Sequence, residues 1–558
     1  MSGHLPPVAA RRSPGGLPTA HHDTFARDHL PPHALWPELN FSGVPDLAYP
    51  DQLNCAVELL DGAIARGWGA RVAFRSPSEV VTYQALLERA NRIAHVLVED
   101  YGLVPGHRVL LRGPNSPMMV ALWFAVLKAG GVVVCTVPLL RTRELVFTAD
   151  KARIQLAITD ARLAGEVEAA MQTHADGAPR TGARVLRYGD AGADSLEARM
   201  TSRPVAFDNV ATSADDVALI AFTSGTTGEG KGTMHFHRDV LAICDCFPTY
   251  VLQARSDDVF IGSPPFAFTF GLGGLVLFPM RIGASSVLLE QATPPFLAQA
   301  IQEHQASVVF TAPTAYRALL PLLKDVSVAS LRKCVSAGEA LPRPTFDAWK
   351  AATGLTIIDG IGATEMLHIF ISSPEDQVRP GATGRVVPGY QARVVDDAMR
   401  DVADGEIGRL AVRGPTGCRY LGNLERQQAY VRDGWNLTGD SYKRDADGYF
   451  WYQARTDDMI ISSGYNISGP EVEGVLLEHA AVLECGVVGV PDEERGQRVK
   501  AFVVLAPGTK RSADTVKLLQ DWVKQQLAPY KYPRAVEFVD ALPRTNTGKL
   551  QRFRLRDP

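Results

Sequence analysis

The sequence predicts an α/β protein. It reads as a large N-terminal domain of parallel-sheet α/β subdomains plus a small β subdomain, followed by a small α+β C-terminal domain. Three observations predict this. Apolar strand-like runs alternate with helical patterns through most of the chain, as parallel sheets with crossover helices require. The texture changes after residue 380, where Val, Gly and Asp dominate short alternating runs. The segment 459–558 carries an apolar pattern of its own and is long enough to be a separate domain.

In chain order, the opening 1–22 is rich in Pro, Gly, Arg and His and has no apolar core long enough for a secretion signal, so it is expected to be a flexible leader. The large domain is expected over 23–454. Its strands are predicted at 108–111, 132–135, 155–158, 217–222, 286–289, 307–310 and 356–359, with helices such as 83–99 and 295–303 between them. Residues 118–140 look membrane-like, but Lys128 and the pair Gly130-Gly131 would break a spanning helix. Ser116-Pro117 instead begins a buried helix, the glycines turn the chain, and 132–135 forms a buried strand. The chain therefore reads as soluble, with no membrane partner. The segment 384–413 suggests the small β subdomain. The polar run Arg455-Thr456-Asp457-Asp458 is the expected junction, 455–458, before the small domain, 459–558. There the pattern gives helices at 470–478 and 512–527 and strands at 483–490, 499–505 and 535–539.

Composition excludes several classes. The 558 residues are 46% hydrophobic and 21% charged, which places the chain among ordinary globular proteins and away from disordered ones. Lys and Arg total 57 against 61 Asp and Glu, a net charge of −4, so a broadly basic nucleic-acid binder is excluded. Seven cysteines with no Cys-x-x-Cys form neither a disulfide framework nor a zinc motif, and reduced thiols in a cytoplasmic protein are expected.

The strongest chemical signal is Thr223-Ser224-Gly225-Thr226-Thr227-Gly228-Glu229-Gly230-Lys231-Gly232, directly after the apolar run 217–222. Glycines let backbone N–H groups converge on an anion. The hydroxyls of Thr223, Ser224, Thr226 and Thr227 add donors, and Lys231 adds a point charge. This is chemistry for a polyphosphate. Gly225 to Lys231 also fits the P-loop spacing, but Gly232 stands where that motif has the Mg2+-ligating hydroxyl, which leaves a P-loop NTPase as the weaker alternative.

Further motifs follow in order: Ser336-Ala337-Gly338-Glu339, Gly360-Ile361-Gly362-Ala363-Thr364-Glu365, Thr438-Gly439-Asp440, Arg455-Thr456-Asp457-Asp458, and 543–549 ending in Lys549. With this series the chain resembles the adenylate-forming enzymes, which include acyl- and aryl-CoA ligases, peptide-synthetase adenylation domains and luciferase. The resemblance runs from about Asp23 to the C-terminus. It implies the adenylate-forming enzyme fold, with a mobile small domain, and the use of ATP, Mg2+ and CoA. It further implies that Glu365 helps hold Mg2+, a hard cation whose other positions go to water and phosphate. Thr364 is implied to bond phosphate or the acyl-adenylate. Gly338, Glu339, Ala340, Asp359, Gly360 and Ile361 are implied to bind adenine, and Asp440 with Arg455 the ribose. Lys549 resembles the family's catalytic lysine, whose ammonium stabilises charge that builds on the α-phosphate as a carboxylate attacks. Asp457 matches the hinge about which the small domain rotates. Ser463, Gly464 and Tyr465 then close over the acyl-adenylate and admit the pantetheine arm of CoA.

Some stretches are similar to one branch. Residues 362–370, 268–273 and 530–534 resemble benzoate–CoA ligases, and the opening 23–32 is most similar to 2-aminobenzoate–CoA ligases. That likeness implies an aromatic-acid pocket of Thr269, Phe270, Ala337, Gly338, Gly362, His368 and Ile369. Thr269 stands where Ala is typical, and its hydroxyl could satisfy an ortho amino group that would otherwise cost about 1–3 kcal/mol when buried unpaired. Phe270 stands where Tyr is typical. Other departures are Ala267 and Phe268 near a common His, Ala454 for a common Gly, and Ile461 for a common Lys.

The reading is an ATP-dependent aryl-CoA ligase acting on 2-aminobenzoate or benzoate through an aryl-adenylate, with small aromatic carboxylate, ATP and CoA as partners and a homodimer as a possible assembly. Two alternatives stand beside it. One is a stand-alone adenylation enzyme that loads a separate carrier protein, since the chain ends nine residues after Lys549. The other is a non-catalytic nucleotide sensor, against which the intact Lys231, Glu365, Asp440 and Lys549 argue.

Overall fold

A computed structural model of the chain describes residues 16, 18–223, 230–462, 465–492, 495–527, 529–545 and 548–556. Two sheets build the large domain. Among the described residues the first has six strands, in the order Arg184–Tyr188, Leu156–Asp160, Arg108–Arg112, Val132–Thr136, Val217–Thr223 and Lys231–Phe236. The first five are parallel and the last closes the edge antiparallel. The second sheet has nine strands. Its six central members, Ile357–Gly362, Lys333–Ala337, Val308–Thr311, Val259–Gly262, Ser285–Val287 and Val72–Arg75, are parallel. Antiparallel strands flank them: Ile369–Ser372 and then Arg385–Val386 on one side, Val80–Thr82 on the other.

The side-chain period of two sorts each strand between cores. Val109 and Leu111 enter the core that lies between the two sheets, while Leu110 enters a core on the first sheet's outer face. Phe260, Val308 and Phe310 face the same central core, and Ile261 and Val309 face outward under the helices of the second sheet. Between the sheets run helices Tyr83–His95 and Pro117–Lys128. The second is capped by Ser116, whose hydroxyl accepts from the Met119 N–H at 3.3 Å, and all its residues except Met118 are buried. A helix walled in on all sides is apolar all round, which is why this stretch looked membrane-like. Its buried Lys128 is paired with Asp61. No helix among the described residues is long and apolar enough to cross a membrane.

The predicted strands are found within one to three residues of their places. The run 83–99 is α-helical only to His95 and continues as a wider turn, Val96–Asp100. The strand pair Val72–Arg75 and Val80–Thr82 and the edge strand Lys231–Phe236 were not anticipated. The packed chain also starts before residue 23. Ala20 N–H donates to the Asp216 carboxylate at 3.0 Å, the Thr19 hydroxyl bonds the same group, and His21 is buried. A buried carboxylate needs such donors, so 18–22 belong to the body and not to the leader.

The small β subdomain is an antiparallel sheet of Gln391–Val395, Gly408–Arg413, Trp435–Arg444, Val431–Arg432 and Phe450–Arg455. It extends well past the 384–413 expected. The turn Thr456–Asp458 follows, and the side chain of Asp457, the expected hinge residue, lies outside what is described. In the small domain, long antiparallel strands Val482–Asp492 and Gly496–Leu505 carry a core closed by helices Gly469–Leu477 and Ala513–Gln526. Ala535–Phe538 adds a parallel strand, and the short pair Ile460–Ser462 and Tyr465–Ile467 completes the sheet.

Candidate active site

The cleft opens where several parallel strands of the large domain end, the edge at which open α/β sheets place ligands. Strand Val217–Thr223 delivers Thr223, and the antiparallel pairing sets Lys231 directly opposite it. The intervening Ser224, Gly225, Thr226, Thr227 and Gly228 lie outside the described residues. Burial lowers the Lys231 pKa and the nearby Arg426 lowers it further, while Glu365 works the other way. Arg426 reaches this place because residues 419–421 run alongside the strand: Met234 N–H donates to Arg419 O at 2.8 Å and Leu421 N–H to Gly232 O at 2.9 Å.

Strands Lys333–Ala337 and Ile357–Gly362 pair so that Ser336 faces Asp359 and Ala337 faces Gly360. This register brings the two expected adenine segments, Gly338-Glu339-Ala340 and Asp359-Gly360-Ile361, side by side. Gly338 adopts φ +93°, a left-handed conformation that L side chains rarely adopt. Burial pushes the Asp359 carboxyl up to about 8, against the Ser336 hydroxyl and the Gly360 N–H. No hydrogen bond of normal geometry reaches its Oδ1 among the described residues.

After Gly362 the chain turns through Thr364–Met366. Two side chains that the sequence reading passed over fix this turn. His235 donates from Nε2 to the Thr364 carbonyl at 2.8 Å, and Tyr420 donates its hydroxyl to Glu365 Oε1 at 2.6 Å. Tyr420 is buried against Tyr430. One Glu365 oxygen is thereby oriented by the phenol and the other is left for a cation. Among the described residues no group of three or more His, Cys, Asp or Glu could hold a metal. A single oriented carboxylate beside a phosphate site fits Mg2+, which is commonly held by one or two carboxylates and by substrate phosphate.

Asp440 and Arg455 are register partners in the β subdomain, and their side chains meet at 3.2 Å. Burial raises the Asp440 pKa, with Arg455 and then Thr438 pulling it back. For Arg455, burial disfavours the cation, but Asp440, Tyr452 and Tyr430 together outweigh it and the pKa rises. Lys549, from the small domain, completes the cleft: a Cβ placed on Gly338 would lie 3.7 Å from its Cε. Its side chain stays open to solvent. Burial lowers its pKa, Glu339 works against that, and Arg455, Asp440 and Glu365 are close enough to contribute.

The expected aromatic-acid pocket divides in two. Thr269 and Phe270, on the short helix Thr269–Leu272, are partly exposed, and Gly338 and Gly362 are open. Ala337, His368 and Ile369 are buried in the wall behind. His368 is only 2% exposed and is ringed by Phe247, Phe270, Phe278 and Phe310, with ring centroids 4.5–6.4 Å away. A Cβ on Gly273 would meet its ring at 2.4 Å, so a larger residue there is excluded. Burial pushes the His368 imidazole down to about 3, against a weak pull from the Phe270 backbone, and the ring is neutral. The phenylalanine box was missed because its members are far apart in the chain and carry no motif.

Little of the expected CoA segment is described. Ser463 and Gly464 lie outside the described residues, and Tyr465 stands 53% exposed, stacked on Tyr530 of the same domain at 4.4 Å.

Fold and cleft together define a two-lobed nucleotide-binding enzyme. The profile described as "AMP-binding enzyme" matches residues 63–420, and "AMP-binding enzyme C-terminal domain" matches 471–549. The chain belongs to this family of AMP-binding enzymes. It is 35% identical over 525 residues to benzoate–CoA ligase of Thauera aromatica, covering 92% of this chain and 97% of that protein. The crystal structure of the anthranilate CoA ligase AuaEII in complex with anthranoyl-AMP is similar, with TM-score 0.85, 33% identity, and coverage of 91% of this chain and 97% of that one. So is a benzoate CoA ligase from Burkholderia xenovorans LB400, with TM-score 0.82, 34% identity, and coverage of 90% and 100%.

Proposed function

We propose that this chain is an ATP-dependent, AMP-forming aryl-CoA ligase and that its acid is 2-aminobenzoate, with benzoate as the nearest rival. The observation that carries the ligase reading is Lys549 beside Gly338, in one cleft with Asp440, Arg455 and Glu365. A carboxylate oxygen of the acid attacks the α-phosphorus, the bond to the β-phosphate oxygen breaks, and pyrophosphate leaves. The CoA sulfur then attacks the acyl carbon and AMP leaves. The carboxylate is already ionised near neutral pH, so no general base is needed for the first step. Lys549 stabilises the charge that gathers on the phosphate oxygens, in a preformed position that costs little rearrangement. Asp440 accepts from the ribose hydroxyls, and Arg455 holds that carboxylate in place. Thr364 bonds the phosphate or the acyl-adenylate. Mg2+ on Glu365 would supply charge neutralisation to the leaving pyrophosphate.

The aromatic acid is supported by the relatives and by the pocket: open Gly338 and Gly362 leave room for a flat ring, with Phe270 as an apolar wall. Thr269 is the group that would pair an ortho amino substituent. The test is acid-dependent pyrophosphate release across benzoate, 2-aminobenzoate, fluorinated benzoates, cinnamates and fatty acids. The 2-aminobenzoate reading expects a higher kcat/KM for that acid than for benzoate, and a loss of about tenfold in the preference in Thr269→Ala. Preference for a long aliphatic chain would overturn the aryl reading. Thioester formation with free CoA, set against a pantetheine-bearing carrier, separates CoA ligation from carrier loading.

The reading extends to rotation of the small domain about Thr456–Asp458 between the two steps, and to a cytoplasmic homodimer. Free thiols throughout, six of them buried, suit a reducing compartment. The large domain leaves Val80, Leu139 and Phe296 exposed, apolar surface available to a second copy. Sedimentation velocity tests the dimer.

A further inference from the structure

Lys549 sits in a hairpin whose own hydrogen bonds do not explain why it enters the cleft. Thr545 N–H donates to Lys549 O at 2.8 Å, Gly548 N–H to Thr545 O at 2.9 Å, and Lys549 N–H to the Thr545 hydroxyl at 3.1 Å. Arg544 pairs with Leu550 across the hairpin base. These bonds tie the described ends of the loop together within the small domain. They say nothing about where the loop points relative to the large domain.

The Arg544 guanidinium does. It donates from Nη1 to the Gly548 carbonyl at 2.7 Å, the peptide just before Lys549, and from Nη2 to Glu484 Oε2 of the small domain at 2.9 Å. The same Nη1 lies 3.6 Å from Glu339 Oε1 on the large domain. A planar fork of five donors can hold two acceptors by hydrogen bonds and still face a third charge, which an ammonium on a flexible stem does less well. Glu339 follows Gly338, the residue nearest the lysine stem. Burial raises the Glu339 pKa, and Arg544 first, then Lys549 and the Thr314 hydroxyl, draw it back. Among the described residues no other ion pair joins the two domains away from the junction; the Arg556–Asp458 pair lies at the pivot itself. The geometry therefore has one guanidinium that grips the lysine loop by its backbone and the nucleotide segment by its carboxylate.

We propose that Arg544 is a positioning residue for adenylation: its contact with Glu339 holds the small domain in the orientation that keeps Lys549 in the cleft, and the thioester step does not use it. Arg544 acts through Lys549. The inference rests on the reading of Lys549 as the adenylation lysine.

The experiment measures the two half-reactions separately in the full chain: acid-dependent pyrophosphate release, and thioester formation from supplied aryl-AMP and CoA. Arg544→Ala is expected to lower kcat for adenylation about tenfold, as loss of a partly buried charge pair does, while the thioester step stays within about twofold of wild type. Arg544→Lys should restore part of the adenylation rate, because charge is kept and the fork is lost. Glu484→Gln, which touches only the small-domain side, should have the smaller effect. In an Glu339→Gln background Arg544→Ala should cost less than it does alone, the mark of a direct coupling. Equal loss in both half-reactions, an Arg544→Ala rate within about twofold of wild type, or full additivity with Glu339→Gln would overturn the proposal. Where Arg544→Ala unfolds early, the milder Arg544→Gln and Arg544→Lys are read by the same criteria. Lys549→Ala separates the two readings. If it leaves adenylation intact, the lysine assignment fails and the Arg544 proposal with it. If it abolishes adenylation while Arg544→Ala does not, only the Arg544 proposal falls.

Discussion

Lys549 and Tyr465 belong to one small domain and stand in opposite circumstances. The lysine hairpin is drawn into the cleft, tied through Arg544 to Glu339 and flanked by Asp440 and Arg455. Tyr465 and its neighbour Ile461 are 53% and 55% exposed, the tyrosine stacked on Tyr530 with the rings 19° apart. A rigid domain cannot put both faces into one cleft at once. On the function proposed above, the orientation seen is the one for adenylation, and a second orientation would bring the Tyr465 face to the acyl-adenylate.

That comparison can be broken or sharpened by substitutions on each side. The largest effect is expected from Lys549→Ala: acid-dependent pyrophosphate release should fall about a hundredfold or more, as when a preorganised charge is removed from a transition state, while thioester formation from supplied aryl-AMP is largely kept. Equal damage to both half-reactions would mean that the two faces do not divide the labour. Next, Tyr420→Phe removes the phenol that orients Glu365 and should raise the Mg2+ concentration needed for half-maximal adenylation about tenfold, with little change at saturating Mg2+. A titration of rate against Mg2+ reads this directly. Tyr465→Ala is the mirror of the lysine variant and milder: the thioester step should slow about five- to tenfold, the range for an aromatic contact, with adenylation unchanged.

A last effect, outside catalysis, is on stability against pH. Asp359 keeps its proton in the folded protein up to about pH 8, whereas an ordinary aspartate releases it near 3.8. Unfolding therefore releases that proton between the two values, and this group's contribution to stability falls as pH rises through the window. Asp359→Asn cannot ionise, so melting temperatures taken from mild acid to pH 8 should show wild type losing ground to the variant, by up to about 1 kcal/mol per pH unit. Parallel curves would show that Asp359 ionises normally in the folded state.

Much of this was legible in the sequence because it is local. The run from Thr223 to Lys231 announces phosphate chemistry through glycine and hydroxyl spacing, and the apolar alternation at 108–111 and 217–222 announces parallel strands. Ser116-Pro117 announces the start of a buried helix, and Gly338 at φ +93° is a turn that glycine alone accepts readily. The pocket residues were legible by resemblance only in part. His368 belongs to the expected set, yet its burial in a box of four phenylalanines follows from chain segments around residues 247, 270, 278 and 310 that share no pattern. Tyr420 and His235 could not be found at all, because each is defined by a hydrogen bond to a turn at 364–365 and not by its neighbours in sequence.

From the sequence alone one reads most of the order of strands and helices, the Gly- and Thr-rich run after residue 222 and the lysine near the C-terminus, since backbone preference and turn chemistry act over a few residues. Tertiary structure alone decided which side chains meet. It brought Arg544 to Glu339, set Asp440 against Arg455, hid His368 and left Tyr465 exposed. Those outcomes depend on strand register and on how two separately cored domains dock, energies summed over contacts between residues far apart in the chain, which no short stretch of it encodes.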